Sequence, residues 1–180
     1  MIACGPGVPA RSGSESSELD SLRFSVTYPV TFGADDTVRR AGESPAELEL
    51  RYDTLYVTVA DTGHSYLQLD SLMHVLAMAT GRAVDMGGRV YDVASDSIIL
   101  PRDNEDVLYA GHYIVRRFPS ATLSIEYLDW YVARAEANTM ALVTGLWIME
   151  SDADSALAAV RHRNPRAFKL KSVLYQGCIH

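Results

Sequence analysis

Residues 139–149 read Thr-Met-Ala-Leu-Val-Thr-Gly-Leu-Trp-Ile-Met, an uncharged, β-favouring run. Taken as a strand, it places Met140, Leu142, Leu146 and Ile148 on one face. Val143, Trp147 and Met149 fall on the other. A strand that is apolar on both sides belongs in the middle of a sheet, with something covering each face. Working back along the chain, Leu123–Ala133 and Val107–Phe118 are two further long β-favouring runs at close spacing. Together the three predict an antiparallel meander carrying four of the ten tyrosines and both tryptophans.

Short alternating runs lie further upstream. Leu22, Phe24, Val26 and Tyr28 alternate with polar residues until Pro29. Leu48, Leu50 and Tyr52 alternate next, followed by Leu55, Val57 and Val59, which reads as one bent strand or a tight hairpin. Arg89–Val93 and Ser97–Leu100 flank a turn-like Ala94-Ser95-Asp96. Two helices complete the pattern. Ser65-Tyr66-Leu67-Gln68 has the form of a capping box, and Leu69, Leu72, Met73, Leu76 and Thr80 make one helical stripe before Gly81. Ser151 is the expected cap of the second, with Asp152 and Asp154 in its first turn and Arg161-His162-Arg163 in its last. Ala156, Leu157 and Val160 form its apolar stripe, and Asn164-Pro165 ends it. Phe168–Tyr175 predicts a last short strand or packing tail. Helices between and after antiparallel strands give an α+β class, an antiparallel sheet with two helices packed on it.

At 180 residues, 48% apolar and 22% charged, the chain is long enough for one domain with one core and too apolar to be disordered. Its net charge of −7 argues against a nucleic-acid partner, whose electrostatic footprint would be basic. The apolar run 140–149 is too short to span a bilayer. There are two cysteines, Cys4 and Cys178, and no Cys-x-x-Cys, so zinc-ribbon and thioredoxin-like motifs are excluded.

Met1-Ile2-Ala3-Cys4-Gly5 resembles the end of a bacterial lipoprotein signal, in which a small residue precedes the cysteine that becomes lipidated. Gly5 to Leu19 is rich in Gly, Pro, Ser and Glu, which suits a flexible tether. The expected organisation is a lipoprotein-like N-terminus and tether over 1–20 and a single α+β domain over 21–180. Cys4 is the expected lipidation site, which leaves Cys178 single; the alternative is a Cys4–Cys178 disulfide in an oxidising envelope.

The order of elements resembles the PsbP-like fold. The residues that carry it are Phe24-Ser-Val-Thr-Tyr-Pro29, Leu55-Tyr-Val-Thr-Val59, the helix 69–80, Thr139–Met149 and Ser155–Val160. The layout is also similar to the gliding-motility lipoprotein family of Bacteroidetes-type bacteria, through Leu55-Tyr-Val-Thr-Val59 and Asp154-Ser155-Ala156-Leu157. The resemblance implies a lipid-anchored protein on the periplasmic side of the cell envelope with an interaction or assembly role. It supplies no catalytic residues and no cofactor.

Two sets of residues invite a binding role. Tyr109, Tyr113, Tyr127, Trp130 and Tyr131 could line a ligand groove, or simply pack in the sheet. Arg161, Arg163, Arg166, Lys169 and Lys171 gather five of the sixteen cationic residues near the C-terminus. They form either a solvated face that completes a helix dipole or a patch for an acidic partner or anionic headgroups. The rival reading is a small enzyme centred on His112, in Tyr109-Ala-Gly-His-Tyr113, with His64, His74, Asp92, Asp96 or Glu126 as partners. Asp70 and His74 stand one helical turn apart and would need a third ligand to hold a metal. None of the serine-elbow, zinc-helix or phosphate-loop motifs occurs in the chain.

Overall fold

The structure, a computed structural model, describes residues 52–177. The expected strand at 22–29, residues 48–50, Cys4 with the stretch after it, the boundary at residue 20 and Cys178 lie outside the described residues. Six strands and two helices follow one another: β1 (Tyr52–Gly63), α1 (Tyr66–Thr80), β2 (Val90–Asp92), β3 (Ser97–Ile99), β4 (Ser124–Tyr127), β5 (Met140–Trp147), α2 (Glu150–Arg161) and β6 (Phe168–Tyr175). The main sheet has the order β4-β5-β1-β6 with every neighbour antiparallel, and β2 and β3 form a separate hairpin. The class is α+β.

The strand directions give this order a simple logic. β1 and β4 run the same way with β5 between them, joined through α1 and the hairpin. β5 and β6 run the same way with β1 between them, joined through α2. Two split β-α-β units therefore interlock, which is the connectivity of the ferredoxin-like motif. β5 sits mid-sheet, as its two-sided apolar sequence requires, and Met140 through Leu146 are all buried.

One face of the sheet carries the helices. Leu69, Met73 and Leu76 of α1 and Leu157 and Val160 of α2 pack with Ala60, Ile125, Met140 and Leu142. The hairpin contributes Ile98 to the same cluster, and Tyr66 of α1 stacks on Tyr91 at 4.3 Å between ring centroids. On the opposite face, Leu55, Val57, Val59, Ala141, Val143, Leu146 and Leu174 pack beneath Tyr131, with Val115 and Val132 against them. Among the described residues no α-helix covers this side. The irregular segments around residues 113–120 and 128–132 do.

Several local expectations hold. Ser65 caps α1 by accepting from the Gln68 amide at 3.4 Å, and Gly81 ends it in the left-handed region at φ 68°. The hairpin forms where the turn signal stood, with Asp96 at φ 48°. β6 spans Phe168–Tyr175 and pairs with β1 over eight residues.

Others are corrected. Residues 107–118 make turns rather than a strand, because the Asp106 carbonyl caps a turn at Tyr109 and Ala110, and Gly111 takes φ 78°. The run 123–133 is a strand only to Tyr127 and then a 3-10 turn, Leu128–Trp130. The three runs therefore do not form a meander, and the second neighbour of β5 is β1. Ser151 is not a cap. α2 begins at Glu150, with Met149 at the cap position two residues earlier than expected, and the Ser151 carbonyl accepts from Ser155 Oγ.

The face assignment of β5 also changes partway along. Thr58 pairs with Gly145 but Val59 pairs with Val143, so Thr144 is an extra residue in the ladder. This bulge shifts the alternation, and Leu146 joins Val143 on the helix-free face. Thr144 Oγ1 donates to Thr58 Oγ1 at 2.9 Å, and Trp147 Nε1 donates to the same hydroxyl at 3.1 Å. That bond draws the half-buried indole back over Gly145, where a Cβ would lie 2.6 Å from three of its ring atoms.

Gly145→Ala is expected to destabilise the domain by about 1–3 kcal/mol through this overlap. The same change made in a Trp147→Ala background should cost much less, because the overlapping ring is gone. Chemical denaturation of the four proteins in this cycle measures the coupling, and additive costs would contradict the packing described.

Candidate functional site

β4 is the short outer strand beside β5, and its sequence Ser-Ile-Glu-Tyr puts one carboxylate among buried residues. Ile125 points to the helices. Glu126, opposite Ala141, points to the other face and is completely buried. Its partner is Arg89, just before β2, whose side chain is 3% exposed. The two meet in a fork, Nη1 to Oε2 and Nη2 to Oε1, both at 2.5 Å. Arg89 also donates from Nε to Met86 O at 2.6 Å and from Nη1 to Ile114 O at 2.8 Å. Glu126 Oε2 further accepts from Tyr113 Oη at 2.6 Å.

A second arginine extends the network. Arg116 donates to the Thr122 and Ser120 carbonyls and to the hydroxyls of Ser120 and Ser124, and its own carbonyl accepts from Tyr131 Oη at 2.5 Å. Arg117 reaches the carbonyls of Tyr175 and Gly177. Irregular chain lying over a sheet has carbonyls that no ladder satisfies, and guanidinium groups satisfy them here. Among the described residues no buried side-chain polar atom lacks a partner. Burial, and then the charge of Glu126, push the Tyr113 and Tyr131 phenols well above the ordinary tyrosine value. The charge of Glu126 and its hydrogen bond outweigh burial at Arg89 and hold that guanidinium charged.

The aromatic residues singled out in the sequence divide accordingly. The Tyr113 ring packs edge-on against Tyr127 at 4.8 Å and beside Trp130 at 5.8 Å, under the Arg89 guanidinium. It is part of the network rather than of an open groove. Trp130 stands at its margin, 54% exposed. Tyr109 is half-buried, and its carbonyl accepts from the His112 amide.

His112 itself is exposed at a turn whose backbone bonds run to Tyr109 and Leu100. Its proposed acids have other partners: Glu126 has Arg89, Asp92 has Arg102 and Ser95, and Asp96 has Tyr91. His64 lies 3.9 Å from Glu136, and His74 lies 3.6 Å from Asp70. Among the described residues no group of three or more His, Cys, Asp or Glu could hold a metal ion.

The basic cluster also divides. Arg166 pairs with Asp61, Lys169 with Glu150 and Asp154, and Arg161 Nε donates to Ala167 O at 2.8 Å. Arg163 goes elsewhere. It lines a groove of about 660 Å³ with His162 from the end of α2 and Arg82 from the end of α1. The left-handed turn at Gly81 sends Arg82 back across the sheet, where Nη1 donates to Thr144 O at 2.7 Å and the guanidinium lies 5.8 Å from the Trp147 ring. Arg163 follows from the basic run in the sequence. Arg82 stands alone between Gly81 and Ala83, and only the packing of α1 brings it here. No protein-family model, no curated protein and no solved structure matches this chain.

The buried phenols set an alkaline limit on the fold. Their folded values lie above the unfolded value, so the stability they contribute is fully present below about pH 10 and is lost as pH rises through the higher folded values. Phenolate absorbance and ellipticity followed together should show the last of the ten tyrosines ionising only as the fold is lost. Ionisation of all ten with ellipticity intact would contradict the closure of this network.

Proposed function

We propose that this chain is a non-catalytic binding domain of the bacterial cell envelope, anchored by lipid at Cys4 on the periplasmic side and acting on a protein partner or ligand. The observation that supports binding over chemistry is the commitment of the buried charges. Each oxygen of Glu126 and each terminal nitrogen of Arg89 is bonded, and every bond holds chain in place. A general acid or base needs a group that can exchange a proton with substrate. This one acts as a clamp. Around the clamped chain Val107, Leu108, Phe118 and Trp130 are exposed. Exposed apolar and aromatic groups on a fixed backbone suit recognition, since little ordering entropy remains to be lost on binding.

The anchor reading rests on Ile2-Ala3-Cys4 and the Gly/Pro/Ser/Glu stretch after it, and the resemblance to PsbP-like and gliding-motility lipoproteins supports it. No helix among the described residues is long and apolar enough to cross a membrane. Acyl chains on Cys4 would contribute about 0.8 kcal/mol per buried CH₂. The basic cluster adds about 1 kcal/mol per cation at an anionic surface, and two of its members, Arg166 and Lys169, are already paired within the domain.

Cell fractionation tests the anchor. Cys4→Ser, expressed with the native upstream sequence, is expected to move the protein from the membrane to the soluble fraction while its thermal unfolding stays unchanged. A membrane fraction indifferent to the substitution would overturn the lipid anchor.

A further inference from the structure

We propose that the groove lined by Arg82, His162 and Arg163 binds an amphiphile with a phosphodiester head, the head between the cations and the apolar part over Ala79, Ala159 and Val160. This goes beyond the anchored-domain reading and does not depend on Cys4.

The first support is charge. In a chain of net charge −7, a groove of about 660 Å³ has two arginines and a histidine among its lining residues and no carboxylate. Elsewhere Arg116, Arg117 and Arg161 bond to neutral carbonyls or hydroxyls, while Arg89, Arg102, Arg166 and Lys169 each sit on an acidic side chain. Among the described residues neither Arg82 nor Arg163 has such a partner. Arg82 is half-buried, and its hydrogen bond goes to a neutral carbonyl, so its charge is partly stripped of water without a counter-ion. Burial lowers its pKa accordingly.

Helix ends offer an alternative use for these cations, and magnitudes decide between the two. A helix C-terminus carries about −0.5 of a charge. Two such ends offset about one of the two arginine charges, leaving about +1 before His162 is counted. Several terminal carbonyls are already occupied: Ala77 O by the Gly81 amide, Ala158 O by that of His162, and Val160 O by those of Arg163 and Asn164. The residual charge matches a singly charged oxyanion, which a guanidinium fork binds through charge-assisted hydrogen bonds.

The second support is size and lining. A bare phosphate would leave most of the groove empty, whereas small-molecule sites are of order 300–1,000 Å³ with apolar walls and few polar groups. Ala79, Ala159 and Val160 supply such a wall. A phosphodiester head with a short apolar portion fits both features, whether it arrives as a free amphiphile or as a headgroup at a bilayer surface.

Calorimetric titration of the full chain with monomeric dihexanoylphosphatidylglycerol tests the groove, with phosphatidylglycerol vesicles as a second arm. Saturable binding of one monomer per chain is expected. Arg163→Gln should weaken it about tenfold or more, the loss of one charge-assisted bond. Arg163 is exposed and its side chain has no partner among the described residues, so the variant should melt like the parent. Arg134→Gln, an exposed arginine outside the groove, should leave binding unchanged. Binding to vesicles as well as monomer would identify the bilayer headgroup as a source, and binding to monomer alone a free amphiphile. Absence of monomer binding, binding to vesicles only, or equal weakening by the two substitutions would overturn the proposal.

Discussion

The fork between Arg89 and Glu126 is the constraint on which the helix-free half of the domain depends. This sheet buries apolar residues on both faces, and among the described residues the two α-helices cover only one. The other is covered by chain without regular structure, whose backbone groups must find partners away from water. Arg89 ties together three separate stretches: the turn at Met86, the segment at Ile114 and strand β4 through Glu126. Arg116 and Arg117 continue the pattern from Ser120 to Gly177. Replacing a buried ion pair by apolar residues of similar volume is often neutral or better for stability, so the pair is poorly explained as a source of free energy. It is well explained as a positional device. One carboxylate with one set of directed donors admits one arrangement of the covering segment.

How much of this was legible follows from where the information sits. The helix 66–80 is encoded within its own residues, from Ser65 to Gly81, and could be read directly. So could the hairpin around Asp96, the two-sided strand 140–147 and the last strand. The segment 107–118 reads as a strand because Leu108, Ala110 and Ile114 alternate, but the turn on the Asp106 carbonyl, the left-handed Gly111 and bonds to Leu100, Arg89 and Glu126 fix it instead. The bulge at Thr144 depends on Thr58, eighty-six residues earlier. Arg89 and Glu126 are separated by thirty-seven residues, and nothing local marks them as a pair. The one available signal was Glu126 itself, a lone charge inside Ser-Ile-Glu-Tyr. Its geometry serves Arg89 and Tyr113 rather than His112.

The same logic separates the two candidate sites. The aromatic set around Tyr113 is drawn into the clamp and helps to close it, leaving Trp130 at the edge. The basic set near the C-terminus breaks up because Asp61, Glu150 and Asp154 neutralise two of its members, while Arg163 lines a groove with Arg82 from the end of the other helix. A cluster in sequence became a smaller cluster in space with a different membership. The clamp provides the rigid frame, and the groove between the helix ends provides a charged, partly apolar recess on the opposite side of the sheet.

Hydrogen exchange in the Glu126→Gln variant tests the clamp most directly, with the double variant Arg89→Met/Glu126→Leu beside it. Glu126→Gln leaves Arg89 buried without its counter-charge and is expected to cost about 3–5 kcal/mol, with the double variant less damaged. The account predicts that the Ser120, Leu123 and Tyr131 amides lose protection well beyond those of Met73 and Leu76 in α1. Uniform loss across both faces, or a protected 113–123 segment in Glu126→Gln, would show that something other than this ion pair holds the cover in place.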